Sequence, residues 1–162
     1  MVAGLYTLKD VKRAVSKEAF PENVDANGRL RVAAAIGILG ACTDTEERAQ
    51  RLIDEHVDAL IIDMAHGDSR DVLDTIKWIK RAYNVDVVAG NISEKASAKR
   101  LCEAGADGIK VGQGPGSTCT TGLVTGTGVP LATALHNCAE AAQWFGIPVG
   151  ADGAGCATLG IS

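Results

Sequence analysis

The chain has 162 residues, 46% hydrophobic and 22% charged, with 19 glycines and 4% aromatics. That length and balance fit one globular domain and exclude disorder as the main state; a core of Val, Ile, Leu and Ala with many close backbone approaches suits α/β folds better than β-sandwiches. Sixteen Lys and Arg against twenty Asp and Glu give a net charge of −4, so the chain as a whole has no attraction for nucleic-acid phosphates.

Residues 1–28 read as a lead-in segment, with a helical pattern from Leu8 to Val15 followed by the polar stretch FPENVDANGR. Its charges argue against a signal peptide, and no apolar run approaches the roughly 18 residues of a membrane span. Cys42, Cys102, Cys119, Cys138 and Cys156 form an odd, widely spaced set with no C-x-x-C pair, which fits a reducing, cytoplasmic compartment. His56, His66 and His136 are equally scattered and make no zinc signature.

Residues 29–162 form the main domain. Apolar bursts at Leu30–Ile36, Ala59–Ile62, Val85–Ala89, Gly108–Val111 and Pro148–Ala151 read as short buried strands. Helical patterns separate them. Thr43-x-x-Glu46 fits a capping box that opens a helix running to about His56. Ser69 is placed to cap a second helix, with Val72, Leu73, Ile76 and Ile79 on one face and Asn84 as its stop. Ser93 and Gly105 bracket a third, and Ala132–Phe145, followed by Gly146 and Pro148, makes a fourth. Strand and helix alternate without a hairpin signal, so the sheet is expected to be parallel.

The connection from Gly112 to Leu131 breaks this rhythm, with about twenty residues where a βα loop usually takes about 2–6. Loops of that length usually carry function. Gly37, Asp63, Gly90-Asn91, Gly112 and Asp152-Gly153 each follow a strand directly, and the carboxyl ends of parallel strands form the ligand face.

The segment GQGPGSTCTTG from Gly112 is the richest in the chain. Its glycines can turn backbone N–H groups toward an anion and Ser117 can add a donor; the bland alternative is a flexible turn. Cys119 in this setting suits an accessible nucleophilic thiolate, against the ordinary reading of a small packed residue, which is retained for Cys102 and Cys138. Asp63 and Asp152 could accept hydrogen bonds from a ribose diol or simply cap the next element. Asn91 is open to a ligand role or a turn role, and His66 to a base or a structural role.

These residues resemble the IMP dehydrogenase and GMP reductase family, whose catalytic-cysteine loop has the pattern G-x-G-P-G-S-x-C-T-T-R. The likeness extends through LIIDMAHGDS, VVAGNIS, EAGADGIKVG, GTGVPLATA and IPVGADG, and upstream through GLYTLKDVKRA and GRLRVAAAIG. Ala65-His66-Gly67 after Asp63 looks more like the dehydrogenase; a GMP reductase-like enzyme and a silent nucleotide-binding or assembly module are the alternatives.

The resemblance implies an α/β fold, a parallel (β/α)8 barrel of which about five βα units are present. It implies that Cys119 attacks C2 of IMP, that NAD takes the hydride, and that water releases XMP. By position, Ser117 would meet the substrate phosphate, Asp152 the IMP ribose, Asn91 and Gly153 the substrate region, and Asp63 the nicotinamide ribose. Thr121 would help position water, and carbonyls of Gly112, Gly114 and Cys119 would hold potassium. A cytoplasmic homo-oligomer, a tetramer as in the family, is expected. Gly122 stands where the family has Arg, Met64 and Ala65 where many members have small hydroxyl residues, and Ala154 onward departs from the family's phosphate-site sequence. The first, second and eighth barrel strands, the flap and the regulatory cystathionine-β-synthase-type domain are expected to be missing, leaving two free sheet edges and a truncated piece that is weakly active or inactive by itself.

Overall fold

A computed structural model describes residues 23–41, 44–116 and 119–153 of the chain. The helical pattern at Leu8–Val15, Thr43, Ser117, Cys42 and Cys156 lie outside the described residues. The chain divides into two units, residues 1–31 and 32–162. In the first, Asp25 organises a tight turn: its carboxylate accepts from the backbone N–H groups of Asn27 and Arg29, each at 2.8 Å, and Val24 pairs antiparallel with Leu30.

The second unit is one five-stranded parallel sheet in sequential order, β1 (Ala33–Ile36), β2 (Ala59–Asp63), β3 (Asp86–Ile92), β4 (Gly108–Val111) and β5 (Val149–Ala151). Four of its helices fill the connections: α1 (Thr45–Asp54), α2 (Arg70–Ala82), α3 (Lys95–Ala104) and α5 (Leu131–Gln143). A short α4 (Thr121–Thr125) lies inside the long glycine-rich connection, where no helix was expected. This is the α/β architecture of a partial (β/α)8 barrel.

Burial alternates along the strands. Leu60, Ile62, Val87, Ala89, Ile109 and Val111 are fully buried on the helix-facing side. They join one core with Val72, Ile76 and Ile79 of α2, Leu101 of α3 and Cys138 of α5. The alternate positions Ile61, Val88 and Lys110 are only partly covered, and β1 and β5 each pair on one side only among the described residues. At about 25 cal/mol per Å² of buried apolar surface, the helix-facing layer is the chief source of stability.

Several boundaries differ from the sequence expectation. The first strand begins at Ala33, because Leu30 is engaged in the Asp25 turn. The residue before α1 is Asp44, with no side-chain cap bond, and the helix stops at Asp54. Ser69 caps α2 as expected, its Oγ accepting from the Val72 N–H at 3.3 Å. That helix ends at Ala82 because Tyr83 turns extended, so Asn84 is not the stop. Ser93 makes no cap: α3 follows Glu94, and the Ser93 hydroxyl is committed elsewhere.

Candidate active site

The candidate site lies where the strands end. Parallel register places Asp63, Gly90, Lys110 and Gly150 in one row across β2 to β5. Adjacent strands lie about 4.8 Å apart, so Asp63 and Lys110 are separated by the width of one intervening strand. Gly90 offers no side chain in that gap, and the Lys110 Nζ reaches across it to Asp63 Oδ2 at 3.0 Å. The same ammonium group lies 2.8 Å from Asp152 Oδ2. One cation thus bridges the two carboxylates that the sequence singled out.

Asn91 joins them from β3. The β3–β4 register shifts between Gly90 and Ile92, leaving Asn91 in an irregularity that re-aims its side chain. Its Nδ2 donates to the Gly112 carbonyl at 2.7 Å and to Asp152 Oδ2 at 2.8 Å. Its Oδ1 is buried without a partner, an acceptor whose desolvation is uncompensated in the free protein.

This network sets the charges. The hydrogen bond from Lys110, then that from Asn91, holds the Asp152 carboxyl below its ordinary range against the opposing effect of burial. Burial disfavours the Lys110 ammonium, but hydrogen bonds to Asp152 and Asp63 outweigh it and raise its pKa. Both ends of the pair are therefore charged at neutral pH.

Two glycines allow the strand-end loops to close up. Gly112 has φ +139°, and a Cβ there would lie 2.2 Å from the Asp152 carbonyl oxygen. Gly153 has φ +140°, and a Cβ there would lie 2.6 Å from Pro115 Cγ. Any other residue would be both strained and obstructed at either position. The close packing brings the end of β5 against the loop that carries the cysteine.

Cys119 is exposed in that loop. Its Sγ–H donates to Thr121 Oγ1 at 3.3 Å, and the hydrogen bonds that the Thr121 hydroxyl and then its backbone N–H offer to the ionised sulfur lower the thiol pKa. Cys102 and Cys138 are buried, as read from the sequence; burial raises both, Cys138 to about 11. Thr121 also lines a cleft of about 390 Å³ with Ala65, His66, Ser93, Gln113 and Gly128. His66 is exposed on this cleft.

Asp63 and Asp152 are therefore brought together through Lys110, and Gly112 and Asp152 through Asn91, while Cys119 and Thr121 form a second pair beside them. Gly114 lies between them with φ +88°. Sequence reasoning missed Lys110 and Gln113. The signal for Lys110 was a lone charge inside the apolar strand Gly108–Val111, at the alternate position to Ile109 and Val111. Gln113 had only its place between two glycines.

The described residues hold no group of three or more His, Cys, Asp or Glu side chains suited to a metal ion. A site for a large monovalent cation would instead use main-chain carbonyls, which replace its hydration shell. Gly112 and Gly114 supply oxygens of that type. The Gly112 oxygen already accepts from Asn91 and retains a second lone pair, so the donor chemistry fits. Asp63 fits a ribose contact: it is half-exposed, and Lys110 engages it through one oxygen. No helix among the described residues is long and apolar enough to cross a membrane.

Fold and site together define a partial parallel α/β-barrel domain with an exposed, hydrogen-bonded thiol and paired carboxylates on the carboxyl rim of its strands. Comparison with known proteins makes the class specific. The family model of the IMP dehydrogenase / GMP reductase domain matches residues 5–160, and the chain belongs to that family. It is 47% identical over 154 residues to inosine-5'-monophosphate dehydrogenase of Helicobacter pylori, covering 94% of this chain and 30% of the relative. It is 49% identical over 152 residues to the Staphylococcus aureus protein of the same name, covering 93% of this chain and 30% of that relative. The chain thus spans about 30% of the length of these curated relatives.

Proposed function

We propose that this chain carries the central catalytic portion of an IMP dehydrogenase, with Cys119 as the covalent nucleophile. The observation that carries the reading is the exposed Cys119 thiol, hydrogen-bonded to Thr121 and lowered in pKa, on the rim that also presents Asn91 and Asp152. The relatives' shared name supports the choice of IMP as substrate.

In this reading the Cys119 thiolate adds to C2 of the purine, and the C2 hydrogen leaves with its electron pair as hydride. Water then attacks the same carbon, the carbon–sulfur bond breaks, and XMP departs while the thiol regains a proton. NAD, when bound, supplies the hydride acceptor. Asp152 accepts from the ribose hydroxyls of IMP, and the unpartnered Asn91 Oδ1 suits a hydroxyl donor from the same nucleotide. Ser117 would meet the phosphate, Gly153 would lie in the substrate region, Asp63 would hold the nicotinamide ribose and Thr121 would help position the water. The carbonyls of Gly112, Gly114 and Cys119 would hold potassium, whose charge would order the loop when it is bound. The protein acts in guanine nucleotide biosynthesis as a cytoplasmic homo-oligomer.

The test is alkylation of the purified chain by iodoacetamide with and without IMP, each cysteine being followed by mass spectrometry. IMP is expected to protect Cys119 and leave Cys138 unaffected; an unchanged Cys119 rate overturns the reading. Addition of NAD then separates an enzyme from a silent binding module, since only the former produces NADH and loses that activity in Cys119→Ala.

A further inference from the structure

Gln113 occupies the gap between two glycines with positive φ, Gly112 and Gly114, where the chain leaves β4 for the cysteine loop. Backbone of that kind has many accessible conformations and needs anchoring if it is to present a thiol in one place. The Gln113 carboxamide supplies anchors in three directions. Its Oε1 accepts from the Ser93 hydroxyl at 2.7 Å. Its Nε2 donates to the Ala65 carbonyl at 3.0 Å and to the Asn91 carbonyl at 3.3 Å.

The Asn91 carbonyl also accepts from the Gly67 N–H at 2.8 Å, so it is a junction between the loops that follow β2 and β3. From the same residue, the side chain reaches Gly112 and Asp152. Gln113 therefore grips the backbone of the residue whose amide orients Asp152, and it does so from the first turn of the loop that ends in Cys119.

We propose that Gln113 is a positioning residue of the nucleotide site, one that ties the loops after β2, β3 and β4 together and fixes Asn91 relative to the cysteine loop. Its side-chain hydrogen bonds go to Ser93, Ala65 and Asn91 and not to the thiol or Thr121, so it acts on nucleotide binding and leaves the protonation of Cys119 alone. The inference rests on the reading of this rim as an IMP site.

The discriminating variants are Gln113→Met, which keeps length and removes all three bonds, and Gln113→Glu, which keeps an acceptor for Ser93 but turns two donors into repulsion with carbonyls. Two readouts are followed on the whole chain: the IMP concentration that half-protects Cys119 from iodoacetamide, and the pH midpoint of alkylation without IMP. The expected result is a rise of about tenfold or more in the half-protecting concentration for both variants, the loss of one or two net hydrogen bonds, with an unchanged pH midpoint. Ser93→Ala, which spares the two carbonyl bonds, should show a smaller rise. Equal protection of variants and wild type overturns the inference while leaving the site reading intact, and so does a shift of both readouts together, which would mark a general structural role. Failure of IMP to protect the wild-type chain instead overturns the site reading itself.

Discussion

The two ends of the sheet use aspartate in opposite ways. At the amino end, Asp58 and Asp107 each close a reciprocal pair with the neighbouring strand. The Asp58 N–H donates to the Val32 carbonyl and its carboxylate accepts from the Val32 N–H, at 2.9 and 2.8 Å. Asp107 does the same with Val87, both bonds at 2.8 Å, and adds Lys80. At the carboxyl end, the Asp152 N–H still bonds the Val111 carbonyl, but its carboxylate turns to Lys110 and Asn91. The same residue type secures edges at one end and builds a polar, half-exposed cluster at the other. Parallel α/β folds divide their labour in this way, with stability at the amino face and ligand chemistry at the carboxyl face.

The largest expected effect breaks the comparison at its functional end. Asp152→Ala should raise the IMP concentration that half-protects Cys119 by about a hundredfold, the scale for losing a charged acceptor that takes two ligand hydrogen bonds. The thermal midpoint should change little, since removal of this half-exposed carboxylate leaves the β4–β5 ladder intact. Asp107→Ala should do the reverse. It strands the Val87 N–H and leaves Lys80 without its carboxylate partner, costing about 2 kcal/mol by denaturant unfolding. Protection by IMP should stay at the wild-type value. An Asp107 variant that loses protection while remaining folded would show that the two ends are not separable.

Much of this arrangement was legible in the sequence because it rests on local pattern. Five apolar bursts alternating with helical periods were enough for the parallel sheet, and Ser69 with Val72, Ile76 and Ile79 was enough for the second helix and its buried face. The strand-end rule then located Asp63, Asn91 and Asp152. What escaped depends on register between distant strands. Lys110 becomes part of the site only because Gly90 stands between it and Asp63 in the same row, and no window along the chain contains both. Gln113 is similar: its partners Ala65, Asn91 and Ser93 come from the loop after β2, the end of β3 and the residue that follows β3. The failures at strand and helix starts have a different origin. At Leu30 the Asp25 turn captured the chain locally, and at Ser93 the hydroxyl found Gln113 instead of the backbone of the following helix.

The smallest expected effect tests whether the cysteine loop is chemically set by its own neighbour or by the aspartate cluster beside it. Thr121 provides the leading cause of the lowered Cys119 pKa through its hydroxyl, with its backbone N–H second. Thr121→Val removes the first and keeps the second. A thiol whose pKa is lowered by a hydrogen bond to its charged form must rise when that bond is lost, so the thiolate fraction at neutral pH falls and the alkylation profile moves to higher pH. The rate at pH 7 should drop by about threefold, the modest size expected for one exposed hydrogen bond. Lys110→Met supplies the control: it removes the cation that bridges Asp63 and Asp152, making the rim more negative, without touching the Cys119–Thr121 pair. If it moves the alkylation profile as far as Thr121→Val, the thiol answers to the charges of the whole rim and the local account of its activation fails.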